Sequence, residues 1–277
     1  MNKDLLKMKI LLQFLEQSEE HISVTSLSLM LGQIKTYISK LMHELEDEGM
    51  VDMSDNRRPR LTEKGRETAQ LYREKVQVNL HHLLYEGVDA ESALQDAYLM
   101  ALYCSEATYR ARRITDQIYR AKLALRDRTD FGGKELCAML ADGRYSVPFY
   151  IYKTKGRIKG ADLLSMANEG FEQPAILQVD NGVGVFRLKG KTMTAKSHLT
   201  GLEMAGKVES VRYKRGRNYV SCTRLEDVYS FPAEGVHFRN LMSGNRQVLH
   251  GAVRLSMRCD VGIAHMPESA AVVVFTL

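Results

Sequence analysis

Residues 24–65 read VTSLSLMLGQIKTYISKLMHELEDEGMVDMSDNRRPRLTEKG, and this stretch decides how we interpret the fold. Apolar residues at helical spacing run up to Gly32, a residue type that commonly ends helices. After a short turn, a second helix is predicted to open at Thr36. Two short helices joined by such a turn predict a helix-turn-helix, whose second helix enters the major groove of DNA. Four apolar residues form the buried side of that second helix: Ile38, Leu41, Met42 and Leu45.

A first helix is predicted over residues 4–17, upstream of this pair. It is expected to pack against the core, because five apolar residues recur on one side of it. Thr25 and Ser26 are expected to cap the helix that ends at Gly32, since their hydroxyl oxygens can accept hydrogen bonds from free backbone N–H groups. The five apolar residues of the first helix are Leu5, Ile10, Leu11, Phe14 and Leu15.

The last helix of the three carries polar and basic residues at its start. These residue types can hydrogen bond to phosphate oxygens and to base edges. We therefore interpret them as DNA-binding residues, although the same types also suit an ordinary solvated helix face. The residues concerned are Lys35, Thr36, Tyr37, Ser39, Lys40 and His43.

A basic hairpin is predicted next, and it favours the DNA-binding interpretation. Gly49 ends the helix, residues 50–53 predict a short strand, residues 54–59 a turn, and residues 60–62 a returning strand. Such a wing lies against the sugar-phosphate backbone of DNA. The sequence therefore predicts a winged helix-turn-helix DNA-binding domain over residues 1–66. The tip of the wing carries Arg57, Arg58 and Arg60.

This order of elements resembles a known family of regulators. The segment L-E-D-E-G-M-V precedes the basic hairpin, and L-T-E-K-G follows it at Leu61–Gly65. Over residues 4–113 the chain is similar to winged-helix regulators of the diphtheria-toxin-repressor (DtxR) and manganese-repressor family. It is more loosely similar to multiple-antibiotic-resistance regulators (MarR). The resemblance implies a bacterial or archaeal transcriptional regulator that binds a specific double-stranded DNA sequence.

The metal ligands of that family are not matched. The resemblance implies a His eleven residues after Gly65 and a Glu-x-x-(Glu or Cys)-His cluster on the following helix. Val76, Tyr98, Ala101 and Leu102 occupy those positions. Mn²⁺ and Fe²⁺ prefer oxygen and imidazole donors, and the first helix adds only the thioether of Met8. We therefore predict that the protein senses no metal, and we expect no other cofactor.

Residues 67–131 are predicted to form a helical dimerisation or linker region. Residues 90–128 contain neither Pro nor Gly, which predicts one long helix or two abutting helices. The resemblance implies a homodimer here, which would present two recognition helices to two DNA half-sites. The region is expected to end at residues 131–133. One apolar stripe comprises Leu94, Ala97, Met100, Ala101 and Cys104; a second, suited to a partner helix, comprises Ile114, Ile118, Ala121 and Leu125.

Residues 134–277 have a different pattern and predict a separate domain. Short β-type runs are separated by turns, and Gly160–Glu169 predicts a short helix. The fold class is therefore α+β throughout, with a mainly antiparallel sheet in this second domain. Turn signals lie at residues 180–182 and 214–217. The predicted strands are Ser146–Lys153, Ala175–Val179, Val183–Leu188, Val208–Tyr213, Tyr219–Arg224, Gly251–Met257 and Ala270–Leu277, whereas Val236–Leu241 is ambiguous.

Charge is unevenly distributed between the two halves, with a net −2 over residues 1–130 and +7 over residues 131–277. The positive second half suggests an effector-binding domain for a small, anionic molecule, because Arg pairs bidentately with carboxylates and phosphates. A solvated basic face is the alternative. The candidate effector-binding residues are Lys214, Arg215, Arg217, Arg254 and Arg258.

Other functional classes have weaker support in the sequence. His237, His250, Cys259 and His265 match no metal-binding spacing, and the four cysteines, which include no C-x-x-C pair, are expected to be free thiols. No catalytic motif of a known hydrolase, kinase or metalloprotease is present, so we do not expect an enzyme. The alternatives are a winged-helix protein-interaction module, or an enzyme domain fused to a regulatory DNA-binding domain.

Composition places the chain among ordinary globular proteins, at 44% hydrophobic and 26% charged residues. No apolar run approaches the roughly 20 residues that cross a bilayer, and the first residues lack the pattern of a secretion signal. We therefore expect a cytoplasmic protein.

Overall fold

The structure is a computed structural model that describes residues 2–17, 22–55, 57–154, 163–196, 203–243, 246–261, 264–265 and 268–277. It divides into two compact units, Met1–Asp116 and Gln117–Leu277. The described residues are mixed in secondary structure, with seven α-helices and antiparallel sheets.

Helices dominate the first unit. They are α1 (Lys3–Glu16), α2 (Val24–Leu31), α3 (Lys35–Asp47), α4 (Glu63–Tyr85), α5 (Ala90–Tyr103) and α6 (Glu106–Ala124), and α6 contains the boundary between the units. The strands β1 (Val51–Asp52) and β2 (Arg60–Leu61) form an antiparallel hairpin between α3 and α4.

Helix α1 is buried on two sides, whereas one apolar side was predicted. One side of α1 packs against α2, α3 and the hairpin through residues such as Ile10 and Phe14. Another side packs against α4 and α5 through Met8 and Leu12. The predicted stripe members Leu5 and Leu15 are only half-buried. A single amphipathic stripe in the sequence could not predict this burial, because other elements cover α1 on two sides.

The cap of α2 differs from the prediction. Ser23, and not Thr25, is the N-cap, and Ser26 is the third helical residue. The Ser23 hydroxyl accepts a hydrogen bond from the Ser26 N–H at 3.1 Å, and the Ser26 hydroxyl accepts one from the Ser23 N–H at 2.9 Å. This reciprocal capping box satisfies two N–H groups that have no partner within the helix. As predicted, Gly32 ends α2, in the left-handed region at φ +61°.

Residues 90–124 form two helices, one of the two outcomes expected. Asp89 caps α5 by accepting a hydrogen bond from the Ser92 N–H at 3.0 Å. Leu94 is exposed, so the predicted first stripe is only partly correct. The buried side of α5 is instead formed by the small residues Ala93, Ala97 and Ala101.

Strands dominate the second unit. They are β3 (Asp130–Gly132), β4 (Gly143–Val147), β5 (Phe149–Lys153), β6 (Ala175–Asp180), β7 (Val183–Lys189), β8 (Met193–Lys196), β9 (Glu203–Arg215), β10 (Asn218–Ser221), β11 (Thr223–Leu225), β12 (Val228–Pro232), β13 (His237–Ser243), β14 (Arg246–Val261), β15 (Ala264–His265) and β16 (Ser269–Thr276). The seven-residue helix α7 (Gly133–Met139) lies between β3 and β4.

Two antiparallel sheets pack face to face in this unit. The larger has nine strands centred on β14, and the smaller has five strands in the order β11-β12-β7-β6-β4. Phe186 of the smaller sheet stacks on Phe275 of the larger one, with ring centroids 4.1 Å apart. Antiparallel pairing was predicted correctly, but the α+β domain with one main sheet is better described as a β-sandwich with short helical segments.

A proline explains one error in the strand predictions. Ser146–Lys153 was predicted as one strand, but Pro148 separates β4 from β5, and the two strands belong to different sheets. The predicted helix at Gly160–Glu169 lies partly outside the described residues, and Met166–Gly170 form a 3₁₀ helix. The ambiguous segment Val236–Leu241 is largely strand, within β13.

Both predicted hairpin turns are present. Asn181 and Gly182 lie at φ 48° and 73°, the left-handed values that a two-residue turn between paired strands requires. The second hairpin joins β9 to β10 and turns at Gly216, at φ 61°.

The stripe assigned to a partner helix is largely used within the chain. Ala121 and Leu125 are buried in the core of the second unit, and Ile118 packs against that core, while Ile114 is exposed. Phe131 belongs to the same core. These contacts place the division between the units within α6, upstream of the residues 131–133 that the sequence indicated.

The four cysteines are free, as expected. Burial raises the pKa of the Cys137 thiol to about 11 and that of Cys222 to about 12, which keeps both thiols protonated at neutral pH. Within the described segments, no helix is long and apolar enough to cross a membrane.

Candidate nucleic-acid interface

The predicted recognition helix α3 has one buried and one exposed side. The four residues predicted for the buried side are at most 1% exposed, and they join the core formed by α1, α2 and the hairpin. Among the predicted DNA-binding residues, Tyr37 and Ser39 are half-buried. The fully exposed ones are Lys35, Thr36, Lys40 and His43.

The turn before α3 is held by local hydrogen bonds. The Gln33 N–H donates to the Ser28 carbonyl at 3.0 Å, and the Ser28 hydroxyl donates to the Gln33 carbonyl. Gly32 supplies the left-handed conformation that starts the turn. These contacts fix the direction in which α3 leaves the turn, because both partners flank Gly32.

Two exposed apolar residues near this turn were missed by the sequence interpretation. Ile34, the N-cap of α3, is 71% exposed, and Leu29 of α2 is 79% exposed. Apolar side chains can contact the methyl group of thymine in the major groove. The sequence could have indicated these two residues, because they lie near the polar start of α3 and belong to no buried stripe of a helix.

The hairpin is shaped by two aspartates. Asp52 accepts a hydrogen bond from the Ser54 N–H at 2.9 Å, which lowers the pKa of the Asp52 carboxyl. Asp55 accepts one from the Arg57 N–H, also at 2.9 Å. The two carboxylates therefore accept hydrogen bonds from backbone N–H groups of the turn, and Arg57, Arg58 and Arg60 are all exposed.

The segment L-T-E-K-G joins the hairpin to the scaffold, and four of its five residues have a structural reason. Leu61 is buried in the core under α3, and Thr62 caps α4 by accepting a hydrogen bond from the Gly65 N–H at 3.0 Å. The Lys64 ammonium donates to the Glu48 carbonyl at the end of α3, at 2.7 Å. A Cβ on Gly65 would lie 1.8 Å from the Met50 carbonyl oxygen, so only glycine fits there.

The acidic residues of α3 lie toward its other end. Glu44 pairs with Lys3 and Lys7 of α1, each at 2.8 Å, and these contacts lower the pKa of Glu44 to about 2. Glu46 lies 3.2 Å from His43. The N-terminal half of α3 therefore holds cations that make no ion pair with a described residue, although the first 130 residues carry a net negative charge.

The positions aligned with family metal ligands meet in one cluster. Met8, Val76 and Ala101 are buried together, and Tyr98 and Leu102 pack against them. These side chains supply one thioether sulfur and one phenol, and none of the carboxylate or imidazole groups that Mn²⁺ and Fe²⁺ prefer. Across the described ranges, no group of three or more His, Cys, Asp or Glu side chains is placed to hold a metal ion.

The histidines and cysteine considered for a metal in the second unit do not meet in one place, although the β13–β14 register puts His237 opposite Ala252, two residues from His250. His250 and Cys259 both lie on β14, nine residues apart, which separates them by about 30 Å at 3.3 Å per residue. His237 instead lies 3.2 Å from Asp130, whose pKa is lowered by Arg239 and by His237. The side chain of His265 lies outside the described part of the structure.

The candidate effector residues lie in the second unit, but the structure brings only two of them together without a carboxylate partner. Leu255 of β14 pairs with Tyr213 of β9, which places Arg254 beside Lys214 on the outer face of the larger sheet. Neither makes an ion pair with a described residue.

The other three candidates are arranged differently. Arg215 pairs with Glu234 at 2.6 Å, and Arg258 lies 3.6 Å from Glu209. Arg217 is exposed in the turn between β9 and β10.

Comparisons with known proteins give distant structural similarities, and the following three are among them. The structure of the manganese regulator SloR is similar over 82% of this chain and 98% of its own, at 12% identity and a TM-score of 0.36. The NEAT5 domain of IsdX2, a B. anthracis hemophore in complex with heme, matches 49% of this chain and 96% of its own, at 16% identity and a TM-score of 0.32. A point variant of that domain with heme has the same coverage, at 18% identity and a TM-score of 0.33.

Similarities of this size establish no function, because one fold supports many activities. No family model and no curated protein matches the chain.

Proposed function

We propose that the chain is a transcriptional regulator that binds a specific double-stranded DNA sequence through a winged helix-turn-helix, formed by α1 to α4 with the β1–β2 hairpin. One observation carries the proposal. Lys35 and Lys40 on α3, with Arg57 and Arg58 on the hairpin, are exposed and make no ion pair among the described residues. Cations held on a rigid scaffold without protein partners are suited to phosphate oxygens.

In this proposal α3 reads bases and the hairpin binds the backbone. Thr36, Lys40 and His43 reach base edges from the start of α3, with Tyr37 and Ser39 at its margin and Ile34 against a thymine methyl group. Arg57, Arg58 and Arg60 contact phosphates, which add affinity without sequence preference.

A dimer is the second part of the proposal. Two copies would present two α3 helices to half-sites about one DNA turn apart. Helix α5 supports this part, because Leu94 and Leu99 remain 40% and 42% exposed although each is a large apolar side chain. Light scattering would give twice the chain mass for the wild type, and the mass of one chain for Leu99→Glu. The substitution Asn218→Glu, on the exposed start of β10 in the second unit, adds the same charge away from α5 and should leave the dimer intact.

The third part concerns the second unit, for which we propose binding of a small anionic effector at Lys214 and Arg254. Inorganic phosphate and citrate are suitable probes in a thermal-shift assay of the full chain, since ligand binding to the folded state raises the midpoint. A midpoint increase that is lost in Lys214→Ala with Arg254→Ala supports the site. A midpoint increase that persists in this double variant contradicts the proposed site.

The DNA-binding proposal is tested by selection from a pool of randomised duplexes with the full chain. We expect enrichment of one sequence, followed by an affinity that falls steeply as salt rises, with a log–log slope of about −0.9 for each phosphate contact. Lys40→Ala with His43→Ala should relax the selected sequence, whereas Glu63→Gln, on the exposed start of α4, should not. A pool that remains random after repeated rounds contradicts the proposal.

A further inference from the structure

The first unit contains a cleft of about 260 Å³ that the proposed DNA interface does not use. Helices α1, α3, α4 and α5 all contribute to its walls. Ten residues line it, and they form an apolar floor, an acidic rim and a pair of tyrosines.

The floor of the cleft is apolar. Met8, Leu11 and Leu45 are each only 1% exposed, and the half-buried Met50 and Leu102 extend this surface. An apolar cavity of about 150 Å³ is large enough to take up benzene, so this cleft has room for a somewhat larger aromatic or aliphatic body. Burial of such a body would be favourable, because it removes the apolar surface of the body from water.

The rim of the cleft is acidic. Asp4 and Glu48 contribute two carboxylates, against the single ammonium of Lys7. That ammonium is already occupied, at 2.6 Å from Glu48 and 2.8 Å from Glu44. Asp4, in contrast, has no ion-pair partner among the described residues. The charge that remains for a ligand is therefore negative and lies at the Asp4 side.

Two tyrosines complete the cleft. Burial raises the pKa of Tyr72, and the nearby charges of Asp4 and Glu48 raise it further, so the hydroxyl stays protonated and available as a donor. Tyr103 is exposed and its hydroxyl accepts a hydrogen bond from Asn2. Aromatic rings beside carboxylates suit organic cations, because the ring face attracts positive charge.

We propose that this cleft binds a small organic cation, with an apolar or aromatic body on the Met8–Leu11–Leu45 floor and an ammonium group at Asp4. The shape, the apolar floor and the charge of the rim agree on this chemical class. A carboxylate or phosphate would meet the Asp4 carboxylate and be repelled. The site is distinct from Lys214 and Arg254, which lie in the second unit and have the opposite charge.

Occupation of the cleft would also touch the proposed DNA-reading helix. Leu45 and Glu48 lie at the end of α3, and Met50 precedes the hairpin. An effect of the ligand on DNA affinity follows only if it favours one arrangement of these elements over another, and this consequence rests on the proposed function. Ligand binding itself does not rest on the proposed function, because it can be measured without DNA.

Calorimetric titration of the full chain with three matched probes tests the proposal. They are 2-phenylethylamine, the neutral 2-phenylethanol and the anionic 3-phenylpropanoate. We expect saturable binding of the amine, binding of the alcohol at least about tenfold weaker, and none of the carboxylate. Equal binding of amine and alcohol, or no binding of the amine at millimolar concentration, overturns the proposal.

Variants locate the site. Asp4→Asn should weaken amine binding about fivefold, Asp4→Glu should restore most of it, and Asp47→Asn, an exposed acid of α3 outside the cleft, should leave it unchanged. Asp4 is exposed, so the thermal midpoint of the unliganded Asn variant should match that of the wild type. Unchanged amine affinity in Asp4→Asn overturns the assignment. Amine binding without DNA binding would contradict only the proposed function, and the reverse result only the cleft.

Discussion

On α3 and the hairpin, Lys35, Lys40, Arg57 and Arg58 are exposed without ion pairs among the described residues, whereas several arginines of the second unit are paired. The paired ones in and beside the larger sheet include Arg212 with Glu268, Arg215 with Glu234 and Arg258 with Glu209, at 3.4, 2.6 and 3.6 Å. The net charges alone suggest the opposite, at −2 for residues 1–130 and +7 for residues 131–277. Binding of an anion depends on cations that no carboxylate already holds, and not on the charge of a segment.

The largest effect on stability is expected from Gly→Ala substitutions at two positions, one in each unit. A Cβ at Gly65 would lie 1.8 Å from the Met50 oxygen, and one at Gly133 would lie 1.9 Å from the Ala233 oxygen. Each Gly→Ala substitution should cost about 3 kcal/mol or more, because backbone must move. Hydrogen exchange on the full chain should accelerate in α1 to α4 for Gly65→Ala, and in the sheets for Gly133→Ala. Gly87→Ala, which is free of steric contact but has φ +91°, gives the size of backbone strain alone.

The next effect concerns the two basic surfaces directly. Arg57→Ala with Arg58→Ala should lower DNA affinity about 100-fold at low salt and reduce the salt slope by about 2, because two phosphate contacts are lost. Lys214→Ala with Arg254→Ala removes the same charge from the second unit and should change DNA affinity less than about twofold. Fluorescence anisotropy over a salt series measures both. Equal losses from the two double variants would remove the distinction between the surfaces.

Loss of a single side-chain hydrogen bond should lower the free energy of unfolding less, and by similar amounts in the two units. Ser23→Ala removes half of the α2 capping box and should cost about 1 kcal/mol. Tyr229→Phe removes the buried hydrogen bond that the Tyr229 hydroxyl donates to the Val208 carbonyl at 2.6 Å, and should cost about 1 to 2 kcal/mol. Urea denaturation gives both values. Thr25→Ala is the control for the cap, since Thr25 is exposed and not the N-cap, and a loss as large as for Ser23→Ala would contradict the assignment.

The smallest effect is the acid dependence of the α1–α3 ion pairs. Lys3 and Lys7 lower the pKa of Glu44 from 4.5 to about 2. A depressed pKa means that the contribution to stability is fully present above pH 4.5 and disappears as the pH falls towards 2. Glu44→Gln should therefore flatten the decline of the urea midpoint over this window and leave the second unit unchanged. An equally steep decline in Glu44→Gln would show that other carboxylates cause it.

Local signals predicted most of the first unit. Helical spacing and Gly32 indicated the helix pair, and the basic turn after Gly49 indicated the hairpin; the exposed cations lie where these patterns placed them. Asn181-Gly182 likewise predicted a turn in the second unit, because left-handed residues are a local requirement.

Features that depend on contacts distant in sequence were not predicted. Pro148 separates two strands of different sheets, and an alternating pattern on either side looks the same whichever sheet it joins. Ala121 and Leu125 form an apolar stripe that fits a partner helix or a sheet core equally well, and the structure uses it for the core. The cleft was also missed, because its lining residues come from four helices and from the segment before the hairpin, and they have no common spacing.

Photo-crosslinking of the full chain to its selected DNA duplex, mapped by mass spectrometry, tests the central claim most directly. Crosslinks should concentrate in residues 33–43 and 57–60, on α3 and the hairpin, and should be lost at high salt. Crosslinks that instead fall in residues 207–219 and 252–260, on the outer face of the larger sheet, would contradict the account.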